Sequence, residues 1–503
     1  MDKLKNTFYF CTQDYHVIFA KKLIKYGFIP KGFLKNTFNQ ELLKTTFPSV
    51  KTFQYYKFLK SNLNYKQSYE NLTPVNVLKS MNTHFHEYSK ILLRQDTFIP
   101  TLSLFNTLDL FNLNIQYWYN YFTHNKIKLA VFEEEPHKSN TFLAYQLCLI
   151  MKIQTYMPLR TIGVLGIIPT SNYEERLNDN NLKKLFKSKA SVKNNKNFLN
   201  YISDLSNDYK RAQKIHLWNQ LNDIQEKKVL SFKIKISKNR LKNAKNYASD
   251  FKTFFSKLEN SNENYLNYLI NKIYKLIYIK KLKKNYILQS KKLVLSKYTK
   301  KYIYFPLQMQ PEKSTLPLGS PFDNTLYTLQ LLIKNTPSNV KIFVKEHPTH
   351  FIYWRNTTNL MWRKIKFYNQ ISKLSKRIIL LDYKTNPFDL IDNSLFVASV
   401  GGTVCWESAV RGKRAMNFSK IWFDNCHGIS LIECEKDIKD FVNKRIYEKK
   451  IRKKSVVNFA EQIFNLGYNC AHGNPEELKN LKISPEENAE SLKNAFIEYF
   501  NIS

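Results

Sequence analysis

Three short motifs in the second half of the chain carry residue types that bind phosphate and help to break bonds to it. Each motif follows an apolar run of strand length. Two adjacent glycines let a backbone approach a ligand closely, and the free N–H groups of a following helix attract anions. A lysine and a histidine would stabilise the negative charge that grows on a phosphate leaving group. The pattern predicts a site for a phosphorylated donor, built from Gln310, Glu312, Ser314 and Thr315, from Lys345, Glu346 and His347, and from Ser399, Gly401, Gly402, Thr403 and Glu407.

A fourth motif, in the first third of the chain, is acidic. A predicted strand over residues 127–132 delivers Glu133, Glu134, Glu135 and His137 to its carboxyl end, and a helix is predicted over residues 141–151. Carboxylates and an imidazole at a strand end suit an acceptor-activating base or a covalent nucleophile. The alternative is that the glutamates are solvated in a loop and that His137 caps the helix. We favour a functional role for Glu135 and His137, and the sequence does not choose among the glutamates.

The elements that must position the donor motifs alternate along residues 302–423. The sequence predicts strands at YIYFPL, KIFVKEHP, RIILLD, LFVAS and RAMNF, with helices capped by Asp323, over WRKIKFYNQISKL, and over VCWESAVR up to Gly412. Strands alternating with helices at this spacing predict a parallel, doubly wound sheet, which binds ligands at the carboxyl ends of its strands. Trp406 is expected in the core. Glu407 lies four residues after Thr403, too far for a capping box, so its carboxylate is expected to be free for another partner.

The amino-terminal part also starts as strand, helix, strand. TFYFCT predicts the first strand, a helix is predicted over residues 14–26 and ended by Gly27, and FIPKGFL predicts the second strand. Residues 35–125 are predicted to be mostly helical, without a topology. MKIQTYMPLRTIGVLG predicts a further strand and a turn that contains Arg160.

Residues 171–300 differ from the rest in being rich in Lys, Asn and Tyr and poor in Gly and Pro. Near their end a predicted helix carries Leu266, Ile270, Ile273 and Ile277 at helical spacing, with lysines toward one end. One interpretation is a basic amphipathic helix lying on an anionic membrane surface. The other, which we favour from the sequence, is an ordinary helix packed between domains with a solvated lysine face.

The motifs in their order resemble the capsule polysaccharide biosynthesis family, which includes bacterial β-Kdo transferases that use CMP-Kdo. The similar strings are F-P-L-Q-x-Q-P-E-x-S-T, then K-E-H-P, then G-G-T-x-x-W-E-x-x-x-R-G-K, and the acidic Pro-His segment near residue 135 is also similar. The resemblance implies an α/β, GT-B-like fold of two facing Rossmann-like domains with parallel sheets and a helical, Lys-rich insertion. It implies transfer of Kdo from CMP-Kdo to a glycan or glycolipid acceptor.

The resemblance also implies roles for the motif residues. Lys345 and His347 would contact the donor phosphate, helped by the turn at residues 401–403. Gln310 and Glu312 would lie in the donor pocket, and Glu407 would hold a ribose or sugar hydroxyl. The acidic segment, through Glu134, Glu135 or His137, would act on the acceptor or the anomeric carbon.

These assignments divide the chain into four parts. Residues 1–170 form an acceptor domain, 171–300 a basic helical insertion, 301–435 a nucleotide-sugar domain, and 436–503 carboxyl-terminal helices that cross back to the first domain. Asn474 and Ser484, each followed by proline and acidic residues, are predicted to cap helices in the last part.

Composition sets the remaining bounds. The chain has 503 residues, 43% of them hydrophobic, enough for two or three domains with real cores. Its net charge of +39 favours polyanions or an anionic membrane surface, or reflects a compositional bias toward lysine. Six scattered cysteines without a C-x-x-C pair predict free thiols and no metal site.

Several absences narrow the class. No apolar run is long enough for a signal peptide or a membrane span, so we expect a cytoplasmic protein with at most peripheral contact with the inner membrane. The chain has no D-x-D triplet, no G-x-x-x-x-G-K-[ST] loop and no G-x-G-x-x-G, which favours metal-independent transfer without ATP, NAD or another cofactor. Two alternatives remain open: a noncatalytic factor in polysaccharide export or assembly, and a basic nucleic-acid-binding protein, although no specific nucleic acid is expected.

Overall fold

The protein contains two six-stranded sheets, each covered by helices, in a computed structural model. The structure describes residues 4–11, 13–35, 40–54, 72–95, 104–161, 166–173, 196–207, 265–298, 301–310, 312–351, 363–445, 451–473 and 476–502. Most of the predicted insertion at 171–300, and Pro311 and Asn474, lie outside these residues. The predicted α/β class with two Rossmann-like domains is confirmed.

The first sheet belongs to the amino-terminal domain. Its order is β3-β2-β1-β4-β5-β6, and only β6 runs antiparallel to its neighbour. The strands are β1 (Lys5–Phe10), β2 (Phe28–Lys35), β3 (Lys51–Gln54), β4 (Leu129–Phe132), β5 (Gln154–Arg160) and β6 (Ile167–Thr170). The helices are α1 (Asp14–Leu23), α2 (Gln40–Thr46), α3 (Val75–Asn82), α4 (Phe85–Gln95), α5 (Leu104–His124) and α6 (Ser139–Ile150).

The second sheet is parallel throughout, in the order β12-β11-β10-β7-β8-β9. Helices α7 (Lys196–Asn207) and α8 (Tyr265–Gln289) precede it in the chain. Its strands are β7 (Tyr302–Pro306), β8 (Lys341–Lys345), β9 (Ile378–Leu380), β10 (Val397–Ser399), β11 (Ala415–Asn417) and β12 (Ile429–Leu431). The helices between them are α9 (Thr325–Asn335), α10 (Phe367–Leu374), α11 (Pro387–Asn393) and α12 (Val404–Val410).

Both sheets follow the 3-2-1-4-5-6 order of dinucleotide-binding folds, apart from the reversed direction of β6. In such sheets the crevice for a ligand opens where the strand order reverses. That point lies between β1 and β4 in the first sheet and between β7 and β10 in the second. The acidic motif follows β4, and two of the donor motifs follow β7 and β10. The topology therefore brings these predicted motifs to the crevices.

The last four helices complete the chain: α13 (Glu435–Arg445), α14 (Lys453–Leu466), α15 (Glu476–Leu481) and α16 (Pro485–Phe500). Ser484 caps α16 as predicted, and Glu487 completes a capping box with it. Helix α16 lies on the amino-terminal domain, where the Phe496 ring contacts the rings of Phe19 and Phe28. Among the described residues no helix has the length and apolarity needed to cross a bilayer. All six cysteines are free thiols, as the sequence predicts.

Several boundaries differ from the predictions. Asn324, not Asp323, caps α9, because Asp323 is buried in an ion pair with Lys90. Helix α10 begins at Phe367 rather than at residue 362, because Arg363 turns into a buried polar network. Strand β3 lies within a region predicted as helical, and β12 was not predicted at all. The short segment PFDLID is the helix α11, capped by Asn386.

Candidate functional site

The turn after β10 packs against the connection after β7. Gly401 has φ +74°, and a Cβ added there would lie 2.5 Å from the carbonyl oxygen of Ser314. A Cβ at Gly402 would lie 2.5 Å from the Gln308 amide. The Ser399 hydroxyl accepts hydrogen bonds from the Gln308 side chain and from the Gly402 N–H at 3.3 Å. Both glycines are therefore required for the two turns to meet at the crevice.

Lys345 and Glu407 are buried ionisable residues beside these turns, 6% and 5% exposed. Burial lowers the pKa of Lys345 to about 8, against the opposing effect of Glu346, Glu407 and Asp382. Burial also raises the pKa of Glu407, although Thr403 and Lys345 oppose the shift. The prediction that the Glu407 carboxylate is free is wrong, because the carboxylate accepts a hydrogen bond of 3.0 Å from the Thr403 hydroxyl.

A fully buried ion pair supports the motif after β8. Arg363 Nε lies 2.9 Å from Oε2 of Glu346, and the Tyr368 hydroxyl donates to the same oxygen at 2.7 Å. Burial alone would raise the pKa of Glu346, but the Arg363 guanidinium, His350 and the Tyr368 hydrogen bond outweigh it and lower the pKa. Arg363 also donates to Gln308 O at 2.9 Å. The network thus joins the connections that follow β7 and β8.

His350 belongs to the same network. Burial lowers its pKa to about 4, so the imidazole is neutral at neutral pH. Nε2 of His350 lies 3.1 Å from the Gln310 N–H, from which it can accept, and 3.2 Å from the carbonyl oxygen of Gln308, to which it can donate. In either tautomer, His350 therefore holds the β7 connection through one hydrogen bond.

The other predicted donor residues occupy different surroundings. Gln310 is buried, and its side chain donates to Asp323 O at 2.7 Å and accepts from Arg363, so it braces the turn. The Thr315 hydroxyl donates to Glu312 O at 2.9 Å within the same turn. The His347 N–H donates to Oε1 of Glu346 at 2.8 Å, and its side chain is half-buried.

The acidic segment after β4 separates its three glutamates. Glu133 is buried and lies 3.3 Å from the Lys138 ammonium. Glu135 is also buried, and its Oε2 pairs at 2.5 Å with Lys313 from the other domain. His137 does not cap α6, since Lys138 is the capping residue and His137 Nδ1 lies 2.9 Å from the carbonyl oxygen of Glu135.

Glu134 is the more exposed of the three glutamates. Its carboxylate is 21% exposed and lies 3.7 Å from His137 Nε2 and 3.4 Å from the Lys138 ammonium. Burial would raise the pKa of Glu134, but His137, Lys138 and Lys313 together lower it well below its ordinary value. Glu134 is therefore ionised, partly accessible, and close to the lysine that the carboxyl-terminal domain contributes.

The two domains meet at this point through the connection from β7 to α9. Besides the Lys313–Glu135 pair, Asp323 pairs with Lys90 at 2.9 Å and Ser320 donates to Glu87 at 3.2 Å. Leu316 is fully buried among the apolar residues of the amino-terminal domain. The connection after β7 therefore joins the crevice of the second sheet to the acidic segment at the crevice of the first.

The segment between α14 and α15 also reaches the acidic segment after β4. A Cβ added at Gly473 would lie 3.8 Å from the Glu134 carboxyl carbon. The His472 N–H donates to Oε2 of Glu477 at 3.3 Å, and Nδ1 of His472 lies 3.1 Å from the same oxygen. Glu477 also pairs with Arg160 at 2.8 Å. The Gln13 amide, after β1, lies 3.3 Å from Gly473 O. This side of the site was not predicted, because Glu477 was expected only as an acidic residue in the first turn of a helix and His472 stands in no local motif.

Arg363, His350 and Lys313 were likewise missed. Glu346 stood inside a recognised motif, but no local pattern indicated that a buried arginine seventeen residues later would pair with it. Lys313 lies within the first motif, but nothing in the sequence except its charge indicated a role for it.

A family model described as capsule polysaccharide biosynthesis protein matches residues 202–458. None of the curated proteins compared with the chain matches it.

Several solved structures are similar over most of the chain at low identity. The KpsC β-Kdo 2,7 transferase of Thermosulfurimonas dismutans is 11% identical, with a TM-score of 0.32, over 92% of this chain and 99% of that one. Its β-Kdo 2,4 transferase is 13% identical, with a TM-score of 0.29, over 68% of this chain and 79% of that one. The MnaA–UDP structure from S. aureus is 9% identical, with a TM-score of 0.26, over 99% and 98%.

Proposed function

The chain belongs to the capsule polysaccharide biosynthesis family, and we propose that it is a metal-independent glycosyltransferase that transfers Kdo from CMP-Kdo to a glycan or glycolipid acceptor. One observation carries the proposal. A buried lysine and a glycine turn follow strands of one sheet, and the connection against which that turn packs carries Lys313 to the acidic segment after β4 of the other sheet. The three strings of motif residues that resemble β-Kdo transferases support CMP-Kdo as the donor.

On the donor side, Lys345 supplies positive charge in a buried setting, where its attraction for a phosphate is stronger than in water. The turn at Gly401 and Gly402 lets backbone approach the donor without a Cβ between them. His347, half-buried at the same strand end, acts on the phosphate as a hydrogen-bond donor. Gln310 and the Glu346–Arg363 pair hold these turns in place.

On the acceptor side, we assign the reacting carboxylate to Glu134. An ionised carboxylate serves as a base toward an acceptor hydroxyl or as a nucleophile toward the anomeric carbon. Glu133 and Glu135 are buried in pairs with Lys138 and Lys313, which suits them to hold the segment. Lys138 also lies 3.4 Å from Glu134, but the Glu134 side chain remains 21% exposed. His137 lies against Glu134 and orients it.

The first test is calorimetric titration of CMP, UDP and GDP into the wild-type protein, Lys345→Gln and His347→Ala. We expect CMP to bind the wild type more tightly than the other nucleotides and to bind each variant at least tenfold more weakly. Lys373→Gln, at an exposed position of α10, is the matched control and should bind CMP as the wild type does.

Turnover is tested separately by release of CMP from CMP-Kdo in the presence of glycan and glycolipid acceptors. Binding of CMP without turnover would leave the donor site intact and contradict the enzymatic part of the proposal. If no nucleotide binds a folded wild-type protein, the donor-site assignment fails and a noncatalytic assembly role is favoured.

A further inference from the structure

Helix α8 and the turn after it have one buried face and one exposed face. Ile279, Leu282 and Tyr286 are buried, and Leu282 and Tyr286 belong to the core of the carboxyl-terminal domain. The Tyr286 hydroxyl donates to Leu381 O at 2.5 Å and accepts from the Glu346 N–H at 2.9 Å. The helix is therefore fixed to the strand ends that carry the donor site.

The exposed face carries large apolar side chains. Ile277, Ile287, Leu288 and Val294 are 48%, 51%, 71% and 61% exposed. Ile277, Leu288 and the positions between them at spacings of three and four lie on one side of the helix. Ile277 was expected on the apolar side with Leu266, Ile270 and Ile273, whose side chains lie outside the described residues.

Lysines interleave with these apolar residues on the same face. Those at exposed positions of the helix and the turn after it are Lys280, Lys281, Lys284, Lys291, Lys292 and Lys297. Residues 277–298 contain seven lysines and no Asp or Glu. Lys283, toward the edge of the face, lies 5.3 Å from the centre of the Tyr383 ring.

We propose that this face of α8, which we call the lysine face, docks the protein on the surface of an anionic lipid bilayer. Its apolar side chains enter the boundary between headgroups and acyl chains, and its lysines extend to the anionic headgroups. A solvated lysine helix would explain the charges but not four large apolar residues exposed among them. A nucleic acid would satisfy the lysines and leave the same apolar residues in water, so the lipid surface fits both features.

The placement has a consequence for the site. Because Tyr286 bonds to the backbone beside Lys345, docking through α8 would hold the ends of β8 and β9 near the bilayer surface. A donor site near the bilayer surface would suit the glycolipid acceptor of the proposed function. The docking itself does not depend on the proposed transfer reaction.

The test is cosedimentation of the full chain with vesicles of phosphatidylglycerol mixed with phosphatidylcholine, and with phosphatidylcholine vesicles alone. We expect binding to the anionic vesicles only. Neutralising three lysines in Lys280→Gln/Lys281→Gln/Lys284→Gln should weaken binding on the order of 100-fold at low salt. Lys21→Gln/Lys44→Gln/Lys79→Gln removes three exposed lysines of the amino-terminal domain and should leave most of the binding in place.

Substitution of the apolar residues distinguishes binding to a lipid surface from binding to other polyanions. Ile287→Ser/Leu288→Ser should weaken vesicle binding at least tenfold and leave binding to single-stranded RNA unchanged. The matched control, Leu104→Ser/Phe105→Ser, removes two exposed apolar residues of α5 and should bind both as the wild type does. If the Ile287/Leu288 variant binds vesicles as tightly as the wild type, the lysine face is a polyanion surface and the proposal is overturned.

A second measurement tests docking through a new fluorescence signal rather than through weakened binding. Leu288→Trp should give a blue-shifted fluorescence component with anionic vesicles that brominated acyl chains quench. An unshifted, unquenched signal would place residue 288 in water and contradict docking. CMP titration of the same variants reports the donor site independently, so failure of docking and failure of the proposed transferase activity are distinguishable.

Discussion

The three consecutive glutamates after β4 show how position in space, rather than in sequence, assigns a role. Glu133 is held by a lysine from its own loop, and Glu135 by Lys313, 178 residues away. Glu134 retains an accessible carboxylate beside Gly473, which lies between α14 and α15. The sequence predicted an acidic site but did not choose among the three, because two of these neighbours are distant along the chain.

Glu134→Gln should slow transfer strongly and retain donor binding. The substitution keeps the shape of the side chain and removes the charge that accepts a proton or attacks carbon. We expect turnover to fall on the order of 10²–10⁴-fold, with the dissociation constant for CMP changed less than twofold. Turnover and calorimetry measure the two quantities.

The matched control for this variant is Glu490→Gln, which alters a surface glutamate paired with Lys22. Its turnover should equal that of the wild type. Turnover of Glu134→Gln within tenfold of the wild type would contradict the assignment and direct attention to Glu135.

The buried Lys345 predicts a pH dependence of donor binding. Its pKa of about 8 means that the ammonium is charged below pH 8 and loses its proton as the pH rises above it. The phosphate of CMP, with a second pKa of about 6, is already dianionic at pH 7. The association constant for CMP should therefore be constant from pH 7 to near 8 and then fall with rising pH.

Lys345→Arg isolates the residue responsible. Arginine keeps its proton throughout this range, so any binding that the variant retains should not fall as the pH passes 8. An equal decline in the wild type and in Lys345→Arg would assign the titration to another group.

At the scale of elements, the donor site is supported by side chains that contact no ligand in our proposal. The Glu346–Arg363 pair, with Tyr368 and His350, fixes the connections after β7 and β8 relative to each other. Arg363 also interrupts the predicted helix, since its guanidinium faces inward and α10 begins only at Phe367. Local periodicity predicted the helix but did not reveal this buried partner.

Arg363→Met should destabilise the protein strongly. The substitution preserves much of the volume but leaves the Glu346 carboxylate buried without its cation, which costs about 3–5 kcal/mol. Urea denaturation measures the free energy of unfolding. Lys334→Met, which breaks an exposed ion pair with Glu435, should cost less than about 1 kcal/mol. Similar losses for the two variants would show that the buried pair is not an unusual source of stability.

The strands and helices that the sequence predicted well are those with a strong local pattern. Strands β1, β2, β4, β7, β8 and β10 are short apolar runs bounded by turn residues, and Gly27 ends its helix with φ +84°. Strand β12 has the mixed sequence Ile429–Leu431, and β3 the sequence Lys51–Gln54. Both lie at the edges of their sheets, where pairing with a neighbour defines a strand that its own residues do not.

At the scale of the whole molecule, the strand order places the motifs together. A sequence predicts that strands alternate with helices, but not that β1 lies beside β4 or β7 beside β10. Those pairings create the two crevices. The contacts across the interface were equally beyond local pattern, since they join residues such as Lys90 and Asp323.

Leu316 allows a test of whether donor binding at one crevice affects the acidic segment at the other. Its side chain is fully buried in the core of the amino-terminal domain, while its backbone belongs to the connection that also carries Lys313. When CMP binds, we expect slower hydrogen exchange of the amides at residues 133–138, because the ordered connection holds Lys313 on Glu135. Leu316→Ala should reduce that protection at least twofold and cost about 2–5 kcal/mol of stability.

Leu329→Ala is the matched control, because Leu329 is equally buried but lies in the core of the carboxyl-terminal domain. Its loss of stability should be similar, since both variants leave a cavity of comparable size. Its exchange protection at residues 133–138 should nevertheless remain as in the wild type. If both variants lose that protection equally, general destabilisation explains the effect. If only Leu316→Ala loses it, the connection after β7 links donor binding to the acidic segment.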